Sequence, residues 1–253
     1  MEKLNKTANV YHLYHSGVAV ETESKLLVFD YYNDNSAGKE RSLETGVVEP
    51  DIFRDKEEGL VFVSHNHSDH FNPVIFDWKQ KADNLKYILS ADLQVNNKDE
   101  EYYQMEKYQK LDLEDITVNT YGTTDQGVSF LVEVDGLVIF HAGDLNWWHW
   151  DKFSPAERKR EEREYKEELA QLPDVDIDLA FVPVDPRLKK DYYRGGEYFA
   201  KELKPNLLIP IHFSNNYSIT EEFAEKIVEL PVDSAIIKER GMKINYSNFD
   251  LER

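Results

Sequence analysis

The apolar run Leu60-Val61-Phe62-Val63-Ser64 is followed at once by His65-Asn66-His67-Ser68-Asp69-His70. Branched and aromatic side chains in so short a run read as a buried strand. That strand delivers four side chains able to bind a metal, His65, His67, Asp69 and His70, to one place. His65 and His67 are two apart, so on an extended chain their imidazoles point the same way. Asp69 and His70 follow where the chain turns into a helix expected over Ser68 to Lys81. Three of the chain's eight histidines stand within these six positions. A polar surface loop is the alternative, and the apolar strand behind the cluster argues against it. Imidazole with carboxylate suits Zn²⁺, Fe or Mn²⁺ rather than Ca²⁺ or Mg²⁺.

The remaining segments say what surrounds the cluster. Val10 to Val20, Lys25 to Tyr31, Tyr87 to Leu89, Ile116 to Tyr121, Val128 to Val134 and Leu137 to Phe140 read as strands. The last two are joined by Asp135-Gly136, a strong hairpin signal. Ser154-Pro155-Ala156-Glu157 is a capping box that opens a charged surface helix to about Leu172. Asp178 to Val184 and Leu207 to Ile211 are further buried strands, with helix expected over Gly196 to Leu203. Ser218-Ile219-Thr220-Glu221 reads as a second capping box, with helix to about Leu230, and Ala235 to Tyr246 as two weak strands. The strands come in two batches, each followed by helices, which suits α/β (α+β) packing around two sheets. No repeat, linker or low-complexity tract interrupts the 253 residues, and one domain over 1–253 is expected.

Composition removes several alternatives. Hydrophobic residues make up 41% of the chain, enough for a sizeable core, yet no apolar run approaches the roughly 20 residues that span a bilayer. The stretch Met1 to Val10 is polar and lacks the apolar core of a secretion signal. Cysteine is absent, which excludes disulfides and thiolate ligands and fits a cytoplasmic address. A net charge of −19, from 49 acidic and 30 basic residues, repels phosphate backbones, so nucleic acid is not an expected partner, and without a spanning apolar run neither is a membrane.

His65-Asn66-His67-Ser68-Asp69-His70 matches the HxHxDH signature of the metallo-β-lactamase superfamily, and the order of later features resembles that family too. Asp30 ends the apolar strand Leu27-Val28-Phe29, where the family often keeps an aspartate near the site. Phe140-His141-Ala142-Gly143-Asp144 is similar to its strand-then-Gly-Asp element, whose aspartate usually bridges two metals. Pro210-Ile211-His212 is similar to the late strand-end histidine of the second metal. By motif order the resemblance covers about residues 10 to 215. It implies a four-layer αββα sandwich and a site holding one or two Zn ions, with Mn or Fe as alternatives. The metal ligands implied are His65, His67, Asp69, His70, Asp144 and His212, with Asp69 also catalytic, orienting or deprotonating the attacking water. Read from the residues alone, Asp144 and His212 both follow apolar runs and so sit at strand ends. An Asx turn after Gly143 is the alternative for Asp144, and a hydrogen-bonded core histidine for His212. For Asp30, a turn-forming aspartate or one behind a ligand competes with a direct role.

The sequence departs from the family between the two motifs, where a further histidine is usual and none occurs from Phe71 to Phe140. Asp125 is the nearest residue able to bind metal, against a turn-capping role. Alternatively His141 swings in, although a structural place suits it better, or a single metal is held by Asp69, His70, Asp144 and His212. Three of the four tryptophans lie in Leu145-Asn146-Trp147-Trp148-His149-Trp150, a buried cluster or a wall over the metal site, with His149 as a possible substrate contact. Arg187 follows the strand Leu179 to Val184 and is the best cationic spot for a substrate carboxylate or phosphate, against a plain ion pair. His12 and His15 read as structural.

A bound metal lowers the pKa of water from about 15.7 to about 7, so hydroxide would attack a carbonyl or phosphoryl centre at neutral pH. The expectation is a metallo-hydrolase of a small, anionic ester, lactone or phosphoester. Within the superfamily the layout resembles the ascorbate-6-phosphate lactonase branch. A nuclease of the same superfamily and a non-catalytic metal-binding or sensing protein are the alternatives.

Overall fold

The computed structural model describes residues 6–95 and 101–248, so the first five residues of the polar N-terminal stretch lie outside the described part. The chain divides into two compact units, Met1–Glu106 with Lys238–Arg253, and Lys107–Ile237. Each unit is built on one mixed seven-stranded sheet. Two mixed sheets with few helices are the α+β composition expected.

In the first unit the strands are β1 (Thr7–Tyr14), β2 (Gly17–Glu21), β3 (Lys25–Phe29), β4 (Glu58–Val63), β5 (Leu85–Ser90), β6 (Tyr102–Met105) and β14 (Lys243–Ser247). The sheet runs β14-β1-β2-β3-β4-β5-β6. Its β14, β1, β2 and β3 pair antiparallel, and β3 to β6 pair parallel. The run Val10 to Val20 is therefore not one strand but a hairpin, folded back at His15-Ser16 after a register shift between His12 and Tyr14. Its core holds Tyr31, Phe53, Val61, Val63, Trp78 and Tyr87, all essentially shut off from water.

The helix expected over Ser68 to Lys81 is not continuous. Residues 68–70 form a turn, and a 3₁₀ segment starts only at Pro73–Gln80. Proline disfavours helical backbone in the residue before it, and Asn72 accordingly lies at φ −128, ψ 124, its side chain accepting from the Val74 amide.

In the second unit the strands are β7 (Lys110–Leu113), β8 (Ile116–Tyr121), β9 (Ser129–Val134), β10 (Leu137–His141), β11 (Leu179–Pro183), β12 (Leu207–Ile211) and β13 (Asp233–Ser234). From β7 to β10 the pairing is antiparallel, and from β10 to β13 it is parallel. Asp135 and Gly136 both take positive φ, 48 and 74, the geometry a two-residue hairpin turn needs. Helix α1 (Pro155–Leu169) opens with the expected box, Ser154 Oγ accepting from the Glu157 amide and Glu157 Oε2 from the Ser154 amide. It buries Glu161, Tyr165 and Leu169, one stripe at four-residue spacing, and Tyr165 donates to the Gly195 carbonyl. Helices α2 (Arg194–Leu203) and α3 (Ser218–Lys226) follow. The second capping box does not form: Tyr217 is the N-cap and makes no side-chain cap bond, while Ser218 Oγ turns back to Asn216 Oδ1. Among the described residues no helix is long and apolar enough to cross a membrane.

Parallel pairing matters because it brings strand ends together. In a parallel sheet all carboxyl ends lie on one edge, and loops leaving that edge are where polar side chains can converge. Asp30 follows β3 and Ser64-His65 follow β4; in the other unit His141 ends β10, Asp185 follows β11 and His212 follows β12.

Candidate metal centre

In the first unit one buried carboxylate organises the cluster. Asp30 Oδ1 accepts from the Ser64 amide at 2.8 Å, and Oδ2 accepts from Ser64 Oγ at 2.7 Å and from His70 Nδ1 at 2.7 Å. A carboxylate only accepts, so the hydrogens lie on Ser64 Oγ and His70 Nδ1. The Ser64 hydroxyl, its hydrogen committed to Asp30, then accepts from His65 Nδ1 at 3.0 Å. Both imidazoles are thereby set in the tautomer whose lone pair is on Nε2, the arrangement that orients histidine toward a metal. His65 Nε2 approaches His67 Nδ1 to 2.9 Å, and the His65 and His70 rings lie 4.1 Å apart. His65 and His70 are buried, and His67 is partly exposed.

Asp69 is half-exposed, and His15 Nε2 lies 3.6 Å from its Oδ2. The His15 imidazole beside it, together with His70, outweighs partial burial and holds the Asp69 carboxyl well below the usual carboxylate range. The donor atoms of His15, Asp69 and His70 all fall within 4.8 Å of one another. The sequence reading leaves His15 as structural, so this convergence is new. His12 joins no such cluster among the described residues: burial, with the charges of His15 and Arg240, lowers its pKa to about 3.

In the second unit the same device recurs. Asp185 is buried and accepts from His212 Nδ1 at 3.1 Å, while His212 Nε2 faces Asp144 Oδ1 at 3.2 Å. Arg187 grips Asp185 through its amide, Nε and Nη2, and Nη2 also comes within 3.3 Å of His212 Nδ1. The carboxylate is the nearer group and can only accept, so it takes the Nδ1 hydrogen. Burial pushes the Asp185 carboxyl up, but His212 and Arg187 outweigh it and the group sits below its ordinary range. Trp148 lies edge-on to the His212 ring at 5.6 Å and stacks on Trp150 at 5.8 Å, so it walls this histidine on one side. Thr124 Oγ1 donates to the Asn146 carbonyl at 2.6 Å and receives the Asn146 amide at 3.0 Å, fixing the turn after Asp144.

The other expected residues are placed differently. Asp125 lies exposed in a bend, its charge felt at Glu161. His141 is buried at the end of β10, accepting from the Gly143 amide and packing on Phe181. His149 is partly buried, and desolvation leads the causes that lower its pKa. Asp125, His141 and His149 join no cluster of three or more metal-binding side chains among the described residues. Arg187 keeps 56% of its side chain exposed and lies over the Trp150 ring, although Asp185 already pairs with it.

Three residues at these positions have left-handed backbone without being glycine: His15 (φ 56), Asp30 (φ 46) and His212 (φ 68). Each such residue carries strain of about 1 kcal/mol or more that its surroundings must hold. The donor set fits a divalent transition ion: imidazoles with orienting carboxylates, a further carboxylate, and no thiolate. Ser64, Asp185 and His15 were missed from sequence. The polar residue ending each apolar strand was the available signal for the first two, and none was available for His15.

No family model matches the sequence, and no curated protein does. Solved structures match it along nearly its whole length. Igni18, a metallo hydrolase from the hyperthermophilic archaeon Ignicoccus hospitalis, is 17% identical with a TM-score of 0.65, covering 95% of this chain and 98% of that one. CmlA, a diiron β-hydroxylase from Streptomyces venezuelae, is 10% identical with a TM-score of 0.58, covering 95% of this chain and 53% of its own. YhfI of Bacillus subtilis, a metallo-β-lactamase fold protein, is 12% identical with a TM-score of 0.56, over 95% and 99%. At these identities the likeness fixes the architecture and not the chemistry: the chain has the metallo-β-lactamase fold.

Proposed function

We propose that the chain is a metal-dependent hydrolase of a small ester, lactone or phosphoester, acting as one domain over residues 1–253. The observation that carries this reading is the Asp30 carboxylate, which sets the tautomer of His70 directly and of His65 through Ser64. Two histidines held with Nε2 as the lone-pair atom serve a metal better than they serve a core. The ligands proposed are His65, His67, Asp69 and His70, joined by Asp144 and His212 on the motif order. Zn²⁺ is the first candidate, with Mn²⁺ or Fe as alternatives; the likeness to a diiron protein supports keeping Fe. A divalent ion bound by these groups supplies a nucleophilic water at neutral pH and polarises the scissile bond.

The protein's own contributions follow from its side chains. Asp69 Oδ is proposed to orient that water by accepting its hydrogen bond, a role that a carboxyl held well below the usual range performs as an anion. Trp148 shields His212 from solvent, and Arg187 is the group proposed to meet an anionic substituent on the substrate. A net charge of −19 argues against a nucleic-acid substrate.

The test is metal analysis of the purified protein, followed by a panel of esters, lactones, thioesters and phosphodiesters with and without chelator. Chelator-sensitive turnover of one class is the expected result. Metal-loaded protein inert across the panel would replace this reading with a non-catalytic metal-binding role. Once a substrate is known, Arg187→Ala should lower kcat/KM on its anionic form; an unchanged value removes the anionic preference.

A further inference from the structure

We propose that His15 is a ligand, through Nε2, of the metal ion that Asp69 and His70 hold, so that the first unit alone supplies three donors to that ion. The inference rests on the metal-dependent reading above and extends it to a residue on the β1–β2 turn.

The distance separates two accounts of His15. A charge-assisted N–H to carboxylate bond spans about 2.7–2.9 Å, whereas His15 Nε2 and Asp69 Oδ2 are 3.6 Å apart. Two donors bound to one Zn²⁺ at roughly 2.0–2.2 Å in tetrahedral geometry stand about 3.4 Å from each other. The observed spacing is thus long for a hydrogen bond and close to that of two ligands on one ion. His70 completes the set, its ring 5.9 Å from that of His15 and nearly perpendicular to it. Its Nδ1 is committed to Asp30, and the donor atoms of the three residues lie within 4.8 Å of one another.

The turn that carries His15 is built to hold it there. His15 adopts φ 56 where glycine would be unstrained, and it is 4% exposed. Arg240 donates to the carbonyls of Leu13, Asn33, Asn35 and Gly46, tying the hairpin to the loop after β3. The next residue, Gly241, donates its amide to the His12 carbonyl at 2.7 Å. Tyr32 meets the His15 ring edge-on at 6.2 Å. A left-handed histidine this firmly fastened, aimed at a carboxylate and a second imidazole, has the preorganisation a ligand needs.

The experiment compares wild type with His15→Ala and His15→Gln, the second of which keeps a hydrogen-bond donor for Asp69. Zn²⁺ content and affinity are measured by competition with a chromophoric chelator, and Co²⁺-loaded protein is read by its visible spectrum. A ligand role predicts that both variants lose at least tenfold in affinity at one site and change the Co²⁺ spectrum, with chelator-treated protein melting near the wild-type temperature. Either variant keeping wild-type affinity and spectrum overturns the assignment. Should both variants fail to fold, ¹⁵N-labelled wild type decides: Zn²⁺ must shift the His15 Nε2 resonance, and an unmoved resonance overturns it. Wild type that takes up no metal defeats the metal-dependent reading itself, whereas metal-binding wild type with an indifferent His15 defeats only this inference.

Discussion

His70 Nδ1 donates to Asp30 Oδ2 over 2.7 Å, with both side chains wholly shut off from solvent. The same carboxylate holds the Ser64 hydroxyl, which in turn receives His65 Nδ1, so one aspartate fixes two rings forty and thirty-five positions away. In the second unit Asp185 does the same for His212. Both carboxylates follow a parallel strand, and both histidines follow the neighbouring one or the turn beyond it. Parallel register therefore places each orienting acid beside its imidazole.

Replacing Asp30 with Asn keeps the shape but turns one of its two acceptor oxygens into a donor, so the Ser64 amide, Ser64 Oγ and His70 Nδ1 can no longer all be accepted as they are now. Metal affinity should fall by about 10- to 100-fold. Competition titration with a chelator measures it, and an affinity within twofold of wild type would sink the role given to Asp30.

Asp185→Asn leaves Arg187 beside His212 without its counter-charge. Because Arg187 is more than half exposed, water screens part of the loss, and a destabilisation of about 1–2 kcal/mol is expected. Thermal melting should show a fall of roughly 2–8 °C. A companion Arg187→Ala, Asp185→Asn double variant should recover part of it.

His12 has its pKa lowered to about 3 in the folded chain, against 6.5 for an ordinary histidine. The folded state resists the proton and the unfolded state accepts it. The His12 contribution is thus intact above pH 6.5 and lost between 6.5 and about 3 as pH falls, at up to about 1.4 kcal/mol per pH unit. Urea unfolding at pH 7, 6 and 5 should show wild type losing stability faster than His12→Gln; parallel losses would contradict this.

Asp125→Ala should leave metal stoichiometry unchanged, because the residue sits in an exposed bend and joins none of the donor clusters among the described residues. Mass-spectrometric metal analysis of the variant beside wild type decides it. A drop from two ions to one would restore Asp125 as a ligand.

Arg240→Ala strips donors from four carbonyls at once. A loss of about 3 kcal/mol is expected, roughly 6–12 °C in Tm. Recovery of the wild-type Tm in the variant would show that the loop carbonyls find other partners.

Much of the candidate site was legible because its signals are local. The strand Leu60 to Val63 and the cluster His65 to His70 follow from period and residue type within ten positions, and the strands ending before Asp144 and His212 follow likewise. Local pattern misled where a neighbour overrode it. Pro73 broke the helix expected from Ser68, and Ser218 gave its hydroxyl to Asn216 instead of capping its helix. Asp125 is the nearest residue in sequence able to stand in for the missing histidine, and nearness in sequence does not report where an exposed bend points.

The sequence by itself determined the donor chemistry: imidazole and carboxylate without thiolate, delivered by apolar strands in a strongly acidic chain. Only the tertiary structure decided which acids serve which histidines. Asp30 and His70 are joined by the pairing of β3 with β4, Asp185 and His212 by that of β11 with β12, and His15 comes to Asp69 through a hairpin turn held in left-handed backbone. Such partnerships depend on register and on backbone angles far along the chain. Hydrophobic period leaves both unspecified, because it reports which face of a strand is buried and not which strand lies alongside.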